Sequence, residues 1–250
     1  MKSGIIVIHK PLGISSFSVI KHLKKLLPRK TKIGHAGTLD PLASGILLVC
    51  VGRSATKMVN HLMELAKTYV AHATYGYQTS TLDEEGDIIA RCPLPTNITT
   101  QHLQKILSGM MHEYYQEPPV YSALKHKGTP LYALAREQTL SDEELNKITR
   151  AKRKRVTIYG GSIDTCDAKG FHVTVTVSKG TYIRTLVHDI GIAAKTLATT
   201  TLLQRTAVGP FTCEIAHQLA DLTNLTSIEE RMLSCNTVSD MITHYRQKGI

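Results

Sequence analysis

Two stretches of this chain hold residue types that can do chemistry in settings that ordinary secondary structure does not need. The first is Gly34-His35-Ala36-Gly37-Thr38-Leu39-Asp40-Pro41-Leu42-Ala43-Ser44-Gly45, a carboxylate and an imidazole spaced among glycines. Glycine lets backbone approach a ligand closely and holds a neighbouring side chain at a surface. Asp followed by Pro is also a standard helix start, Asp as N-cap and Pro at the first helical position. The local sequence therefore leaves two readings of Asp40 open, a cap and a reactive carboxylate, and the two are compatible.

The second stretch is Lys179-Gly180-Thr181-Tyr182-Ile183-Arg184, which sets a Tyr and an Arg in the first turn of a helix that begins at a strand end. A cation at a helix N-terminus is opposed by the macrodipole. Arg184 thus requires an anion, either a structural carboxylate or a phosphate. Lys67-Thr68-Tyr69 opens a strand, where Tyr69 taken alone is a strand aromatic. Basic clusters at 21–32 and 150–155 are solvated faces by default. As phosphate contacts they would position a nucleic acid without reading its sequence.

The elements that must carry these residues follow from pattern. Gly4 to His9 is a β run, turned at Lys10-Pro11-Leu12-Gly13. Ser15 or Ser16 caps a helix with Val19, Ile20, Leu23, Leu26 and Leu27 at helical spacing, ended by Pro28. The glycine-rich loop feeds a buried strand, Ile46 to Val51, and Ser54 caps a helix through about Leu65. A strand around Tyr69 to Tyr77 precedes a polar turn, Gln78 to Asp87.

Helices are expected around Thr100 to Leu107, closed by Gly109, and from Leu131 to Gln138. Pro118 and Pro119 keep Glu117 to Lys127 extended, and the stretch up to Arg150 reads as polar loop. A hairpin turns at Asp167-Ala168-Lys169-Gly170, with Val173, Val175 and Val177 on its buried face. Thr181 caps a helix through Lys195, and the last stretch after Phe211 reads as short helices without sheet. Strands and helices alternate irregularly, which implies an α+β fold with a substantial mixed sheet, not a regular βαβ series.

Composition narrows the partners. The 250 residues carry a formal charge of +10 and a pI near 9.4, which suits a polyanion, either nucleic acid or an anionic membrane surface. No stretch approaches the ~20 apolar residues of a membrane span, and the N-terminus has no cleavage-type export signal. Five scattered cysteines, odd in number and never in a CxxC pair, read as reduced thiols, so a cytoplasmic protein is expected. The twelve histidines form no HxH or HExxH spacing, and no metal site is expected.

Together these pieces strongly resemble the TruB family of tRNA pseudouridine synthases. Lys10-Pro11-Leu12-Gly13 with Ser15-Ser16 is similar to its N-terminal KPxGxxS motif, and residues 34–45 match its catalytic GHxGxLDPxAxG motif. Lys67-Thr68-Tyr69 resembles its K-x-Y motif, and Gln78 to Gly86 the polar turn after it. The likeness continues in order through Tyr121-Ser122-Ala123-Leu124-Lys125, Ser178 to Thr185, and Arg205-Thr206-Ala207-Val208-Gly209-Pro210-Phe211.

The resemblance implies a pseudouridine synthase fold, a large mixed and mainly antiparallel sheet flanked by helices, with a mobile thumb at about 121–150. It implies a catalytic domain over 1–213 and a short helical segment over 214–250, too short for a complete extra RNA-binding domain. The implied partner is tRNA through its T stem-loop, with no obligate protein partner and no membrane. The implied reaction at uridine 55 cuts the C1′–N1 bond, turns the base and joins C1′ to C5. It conserves atoms and oxidation state, so no cofactor or metal is implied.

By the same resemblance Asp40 is the essential carboxylate, with Arg184 as the guanidinium that favours its ionised form. The base must leave its stack to be reached. Tyr69 matches the residue that stacks on it and helps move a proton, and Tyr182 and Leu203 match the uridine pocket. His35 matches the residue that enters the T loop where the base was, and Lys10 and Pro11 support the floor of the site. Tyr121, Lys125 and Lys127 are implied backbone or stacking contacts. No role is assigned to Arg205. The alternatives are a pseudouridine synthase acting on another RNA and a non-catalytic tRNA-binding or folding module.

Overall fold

A computed structural model describes residues 2–247. The chain forms two compact units, one made of the residues up to Tyr69 with those from Leu203 onward, the other of Val70–Leu202.

The first unit is organised by two strands, β1 (Gly4–Lys10) and β3 (Ala43–Val51), paired antiparallel from Gly4 opposite Val51 to Lys10 opposite Gly45. Their alternate side chains enter two separate cores, which explains why both read as continuous apolar runs. Ile5, Val7, Ile46, Leu48 and Cys50 lie in one core, and Ile6, Ile8, Leu47, Val49 and Val51 in the other. Helix α1 (Ser16–Leu26) closes the second with Val19, Ile20 and Leu23. Ser15 is its cap, its Oγ accepting from Ser18 N, and Lys24 and Lys25 in the last turn favour the dipole.

Strand β2 (Ile33–Ala36) pairs with the far half of β3. Two short helices follow, α2 (Arg53–Lys57) and α3 (Val59–Met63), where the sequence implied one helix capped by Ser54. Gly52 is the N-cap instead, at φ +87°, where a side chain would strike Ser3, and Met58 separates the two turns. Strand β4 (Lys67–Tyr75) leaves this unit after Tyr69.

The second unit holds the hairpin β5 (Tyr77–Thr79) and β6 (Ile88–Arg91), helix α4 (Thr100–Gly109), and β7 (Tyr114–Gln116). Residues 121–150 then contain a small hairpin, β8 (Lys125–His126) and β9 (Thr129–Pro130), and helices α5 (Leu131–Arg136) and α6 (Asp142–Ala151). The polar loop expected before Arg150 is therefore helix α6. Ser141 and Glu144 form a reciprocal capping box at its start, the local signal that separates this polar stretch from a loop.

Strand β10 (Lys154–Val156) pairs with β7, and β11 (Ile158–Cys166) with β12 (Gly170–Val177), antiparallel around the expected turn. Asp167 Oδ1 accepts from Lys169 N and Gly170 N at 2.7 and 3.0 Å, and Val173, Val175 and Val177 are buried as the alternation required. Helix α7 (Ile183–Ala193) has Tyr182 as its N-cap, not Thr181. The Thr181 hydroxyl donates instead to Ser178 O at 2.9 Å.

Strand β13 (Ala198–Val208) returns the chain to the first unit, pairing parallel with β3 through Leu203–Ala43, Gln204–Ser44 and Arg205–Gly45. It turns into β14 (Phe211–Thr212). The last stretch is not purely helical. β15 (His217–Gln218) and β16 (Leu233–Ser234) both add to β1, while α8 (Leu225–Glu230) and α9 (Cys235–Gln247) bury Ile228, Val238 and Ile242 in the two cores. Within the second unit the strands are ordered β11-β12-β4 and within the first β13-β3-β1-β15, mixed and mostly antiparallel. No helix among the described residues is long and apolar enough to cross a membrane.

Candidate active site

In the first unit, the loop around Asp40 is a β-turn and not a helix start. Ala43 N donates to Asp40 O at 3.0 Å, with Pro41 at the position where its fixed φ suits a turn, and strand β3 begins at once. Asp40 is half-buried at the first position of this turn. The glycines on either side are used. Gly37 and Gly45 have φ of +93° and +104°, and a Cβ on Gly45 would lie 2.1 Å from Arg205 O.

Three attachments hold the loop. Ser16 Oγ donates to Leu39 O at 3.0 Å and accepts from Leu39 N at 2.8 Å, so one hydroxyl satisfies both main-chain groups beside Asp40. Gly13 N donates to Pro41 O at 2.9 Å. The third is Arg205, which is 1% exposed. Its Nε donates to Ile46 O at 2.7 Å and its Nη2 to Gly37 O at 3.0 Å. Nη1 lies 3.5 Å from both Thr38 O and Tyr69 Oη, at the outer limit of a hydrogen bond.

Lys10 is wholly buried, and its ammonium donates to Pro11 O and Ile14 O at 2.8 and 2.7 Å. It therefore holds the turn that contains Gly13, while Pro11 itself is exposed. Tyr69 and Leu203 are buried. His35 sits on β2 opposite Val49 with its Nδ1 buried and unpartnered. Burial, and second the charge of Arg205, lower the basicity of His35 below the ordinary imidazole value.

In the second unit, Arg184 is 4% exposed and forms an ion pair with Asp83 Oδ2 at 3.0 Å. Its Nη1 also donates to Thr81 O at 2.6 Å and its Nη2 to Tyr121 O at 2.9 Å. Asp83 Oδ1 accepts from Thr81 Oγ1 at 2.5 Å and Glu85 N at 3.0 Å. The anion that Arg184 required is thus in part a protein carboxylate. Tyr121 takes part through its main chain.

Tyr182 is held by Gln116, whose amide donates to Tyr182 O at 2.9 Å and accepts from Tyr182 N at 2.7 Å. Lys154 Nζ lies 5.8 Å from the centre of its ring. Lys125 and Lys127 are exposed, and Lys127 begins a tight turn with Gly128, both at positive φ.

Geometry adds two residues that the sequence reading did not single out, Asp83 and Arg205. Asp83 was inside the polar turn 78–86 and looked like its neighbours Glu84 and Glu85. Arg205 was one cation in a strand, and nothing in its neighbours announces that it is buried. No group of three or more His, Cys, Asp or Glu suited to a metal occurs among the described residues.

Residues 24–183 match the model of the TruB family pseudouridylate synthase N-terminal domain. A tRNA pseudouridine synthase B of Chromohalobacter salexigens is 40% identical over 243 residues, covering 96% of this chain and 75% of that protein. One from Fusobacterium nucleatum is 44% identical over 211 residues, 84% of this chain and 69% of that protein. Among solved structures, a chain of a Cbf5-Nop10-Gar1 complex is similar with a TM-score of 0.63 at 28% identity, covering 87% of this chain and 53% of that one. This chain therefore spans about three quarters of such relatives and about half of that structural neighbour. The match over 64% of the sequence (160 of 250 residues), together with the identity to these relatives, establishes that the chain belongs to the TruB family of pseudouridylate synthases.

Proposed function

We propose that this protein converts uridine 55 in the T loop of tRNA to pseudouridine, with Asp40 as the catalytic carboxylate. The observation that carries the proposal is the loop at residues 37–46. Its glycines, its Asp-Pro turn and its attachments to Ser16 and Arg205 hold one half-buried carboxylate at the start of a rigid strand. A helix cap would need none of this. Relatives at 40% and 44% identity are named tRNA pseudouridine synthase B, which supports tRNA as the substrate.

The reaction breaks C1′–N1, forms C1′–C5 and moves one proton from C5 to N1, so every atom is retained. Tyr69, buried beside the Arg205 guanidinium, is the proposed stacking surface for the extruded base, with Leu203 and Tyr182 as further walls. Arg184 enters as the guanidinium that favours an ionised carboxylate. His35, neutral because it is desolvated, can fill the gap left in the T loop without introducing a charge. Lys10 and Pro11 support the floor, and Tyr121, Lys125 and Lys127 are proposed RNA contacts. The net charge of +10 suits a polyanion, and the scattered free cysteines suit a cytoplasmic enzyme.

The test is to incubate the purified protein with unmodified tRNA transcript and map pseudouridine by carbodiimide-dependent reverse-transcription stops. A stop at position 55 that vanishes in Asp40→Asn is expected. No stop there, or equal activity in Asp40→Asn, overturns the proposal.

A further inference from the structure

We propose that Arg205 is a positioning residue, a buried cationic strut that sets the placement of the Asp40 loop and of Tyr69 together. The inference rests on the reading of Asp40 as catalytic, but the contacts that carry it are independent of that reading.

The guanidinium reaches both ends of the loop. Nη2 and Nη1 approach the carbonyls of Gly37 and Thr38, where the chain leaves β2, and Nε holds the carbonyl of Ile46, where the chain is already in β3. The carbonyls lie eight and nine residues apart in sequence, and a single planar group fixes their separation. The main chain of Arg205 adds a constraint from the same residue, since it pairs in register with Gly45. Any side chain at Gly45 would collide with it, and one at Gly37 would sit 3.4 Å from Nη1. Gly45 is thus fitted sterically to the Arg205 backbone, while at Gly37, whose Cβ would make only ordinary contact with the guanidinium, the positive φ is what favours glycine.

The same Nη1 faces Tyr69 Oη. Asp40 and Tyr69 are far apart in sequence, and Arg205 contacts the loop of the first and the hydroxyl of the second. Lysine could not replace it. An ammonium on a flexible stem can serve one or two of these acceptors, whereas the guanidinium presents five donors in a rigid fork. Its burial at 1% exposure removes competition from water, so the strut is stiff. A displacement of about 1 Å at a reacting group can cost about a hundredfold in rate, which sets the scale of the expected effect.

The test is Arg205→Lys in the full chain, with single-turnover rate at saturating enzyme, KM for tRNA transcript, thermal unfolding, and amide exchange of residues 37–46 by mass spectrometry. The rate is expected to fall by about tenfold to a hundredfold, with KM changed less than about threefold and exchange in the loop clearly faster. An unchanged rate and exchange overturn the proposal. So does loss of the whole fold, which would make Arg205 a determinant of the core and not of the loop. Arg205→Met adds a second readout, because losing the charge should raise the His35 pKa seen by NMR while Arg205→Lys leaves it nearly unmoved. Should Asp40→Asn retain activity, the catalytic reading falls, while loop exchange and the His35 titration still decide the placement role of Arg205.

Discussion

Arg184 and Asp83 form an ion pair of 3.0 Å in which the side chains are only 4% and 3% exposed. The pair is also tied by hydrogen bonds, Asp83 by Thr81 and Glu85, Arg184 by the carbonyls of Thr81 and Tyr121. Two charges withdrawn from water to this extent need such company, because desolvation alone costs several kcal/mol per ion. The arrangement fixes the orientation of a guanidinium whose role in the reaction is proposed above.

Removing one partner strands the other. Asp83→Ala is expected to lower unfolding free energy by about 3–5 kcal/mol, since Arg184 stays buried with less compensation. Asp83→Asn preserves shape and the acceptor for Glu85 N, and its stability loss should be smaller. Activity should fall in both, because the guanidinium loses one of the groups that orient it and keeps only part of its support, including the carbonyls of Thr81 and Tyr121. Urea unfolding followed by circular dichroism measures the first effect and tRNA turnover the second. A stable and fully active Asp83→Ala protein would show that Arg184 is oriented without this pair.

Acid should destabilise the protein through its buried imidazoles. His35 and His188 both have pKa values lowered from 6.5, chiefly by burial, and each has an unpartnered Nδ1. In the folded state they stay neutral at a pH where the unfolded chain binds protons. The unfolded state therefore takes up more protons below about pH 6.5, and stability falls as pH drops through that range. Urea midpoints measured from pH 7.5 down to 5 should decline, and His35→Gln should make the decline shallower. An identical slope in that variant would remove His35 as a source.

The sequence made parts of both units legible, and the physical reason is period. β1 and β3 are buried on both faces, α1 carries a clean helical stripe with a serine cap, and in the second unit β12 alternates after the Asp167–Gly170 turn. Tertiary demands overrode local signals elsewhere. Asp40-Pro41 is locally a helix start, yet the chain must enter β3 at Ala43, so the same dipeptide makes a turn. Ser141 announced α6 through its capping box, but the helix is so polar that the pattern reads as loop. Arg205 and Asp83 were invisible for another reason. Whether a charged residue is buried depends on what folds over it, and no window of sequence around Asp83 contains Arg184, nor one around Arg205 the carbonyls of Gly37 and Ile46.

Gln116 offers a test of how the second unit places Tyr182. Its amide, 1% exposed, mimics a strand partner by donating to Tyr182 O and accepting from Tyr182 N. Tyr182 has no side-chain cap at the start of α7, and Arg184 follows two residues later. Gln116→Ala removes this partner from both main-chain groups of Tyr182; the carbonyl keeps its bond from Leu186 N at 3.1 Å, so the cost of about 1–3 kcal/mol falls on Tyr182 N where water does not reach it. The first turn of α7 should then exchange its amides faster than the rest of the helix, and KM for tRNA should rise more than kcat falls if Tyr182 lines the uridine pocket. Gln116→Glu separates the two contributions, since a carboxylate still accepts from Tyr182 N but no longer donates to its carbonyl. An intermediate phenotype is expected for Gln116→Glu, and wild-type kinetics in both variants would exclude this clamp from substrate binding.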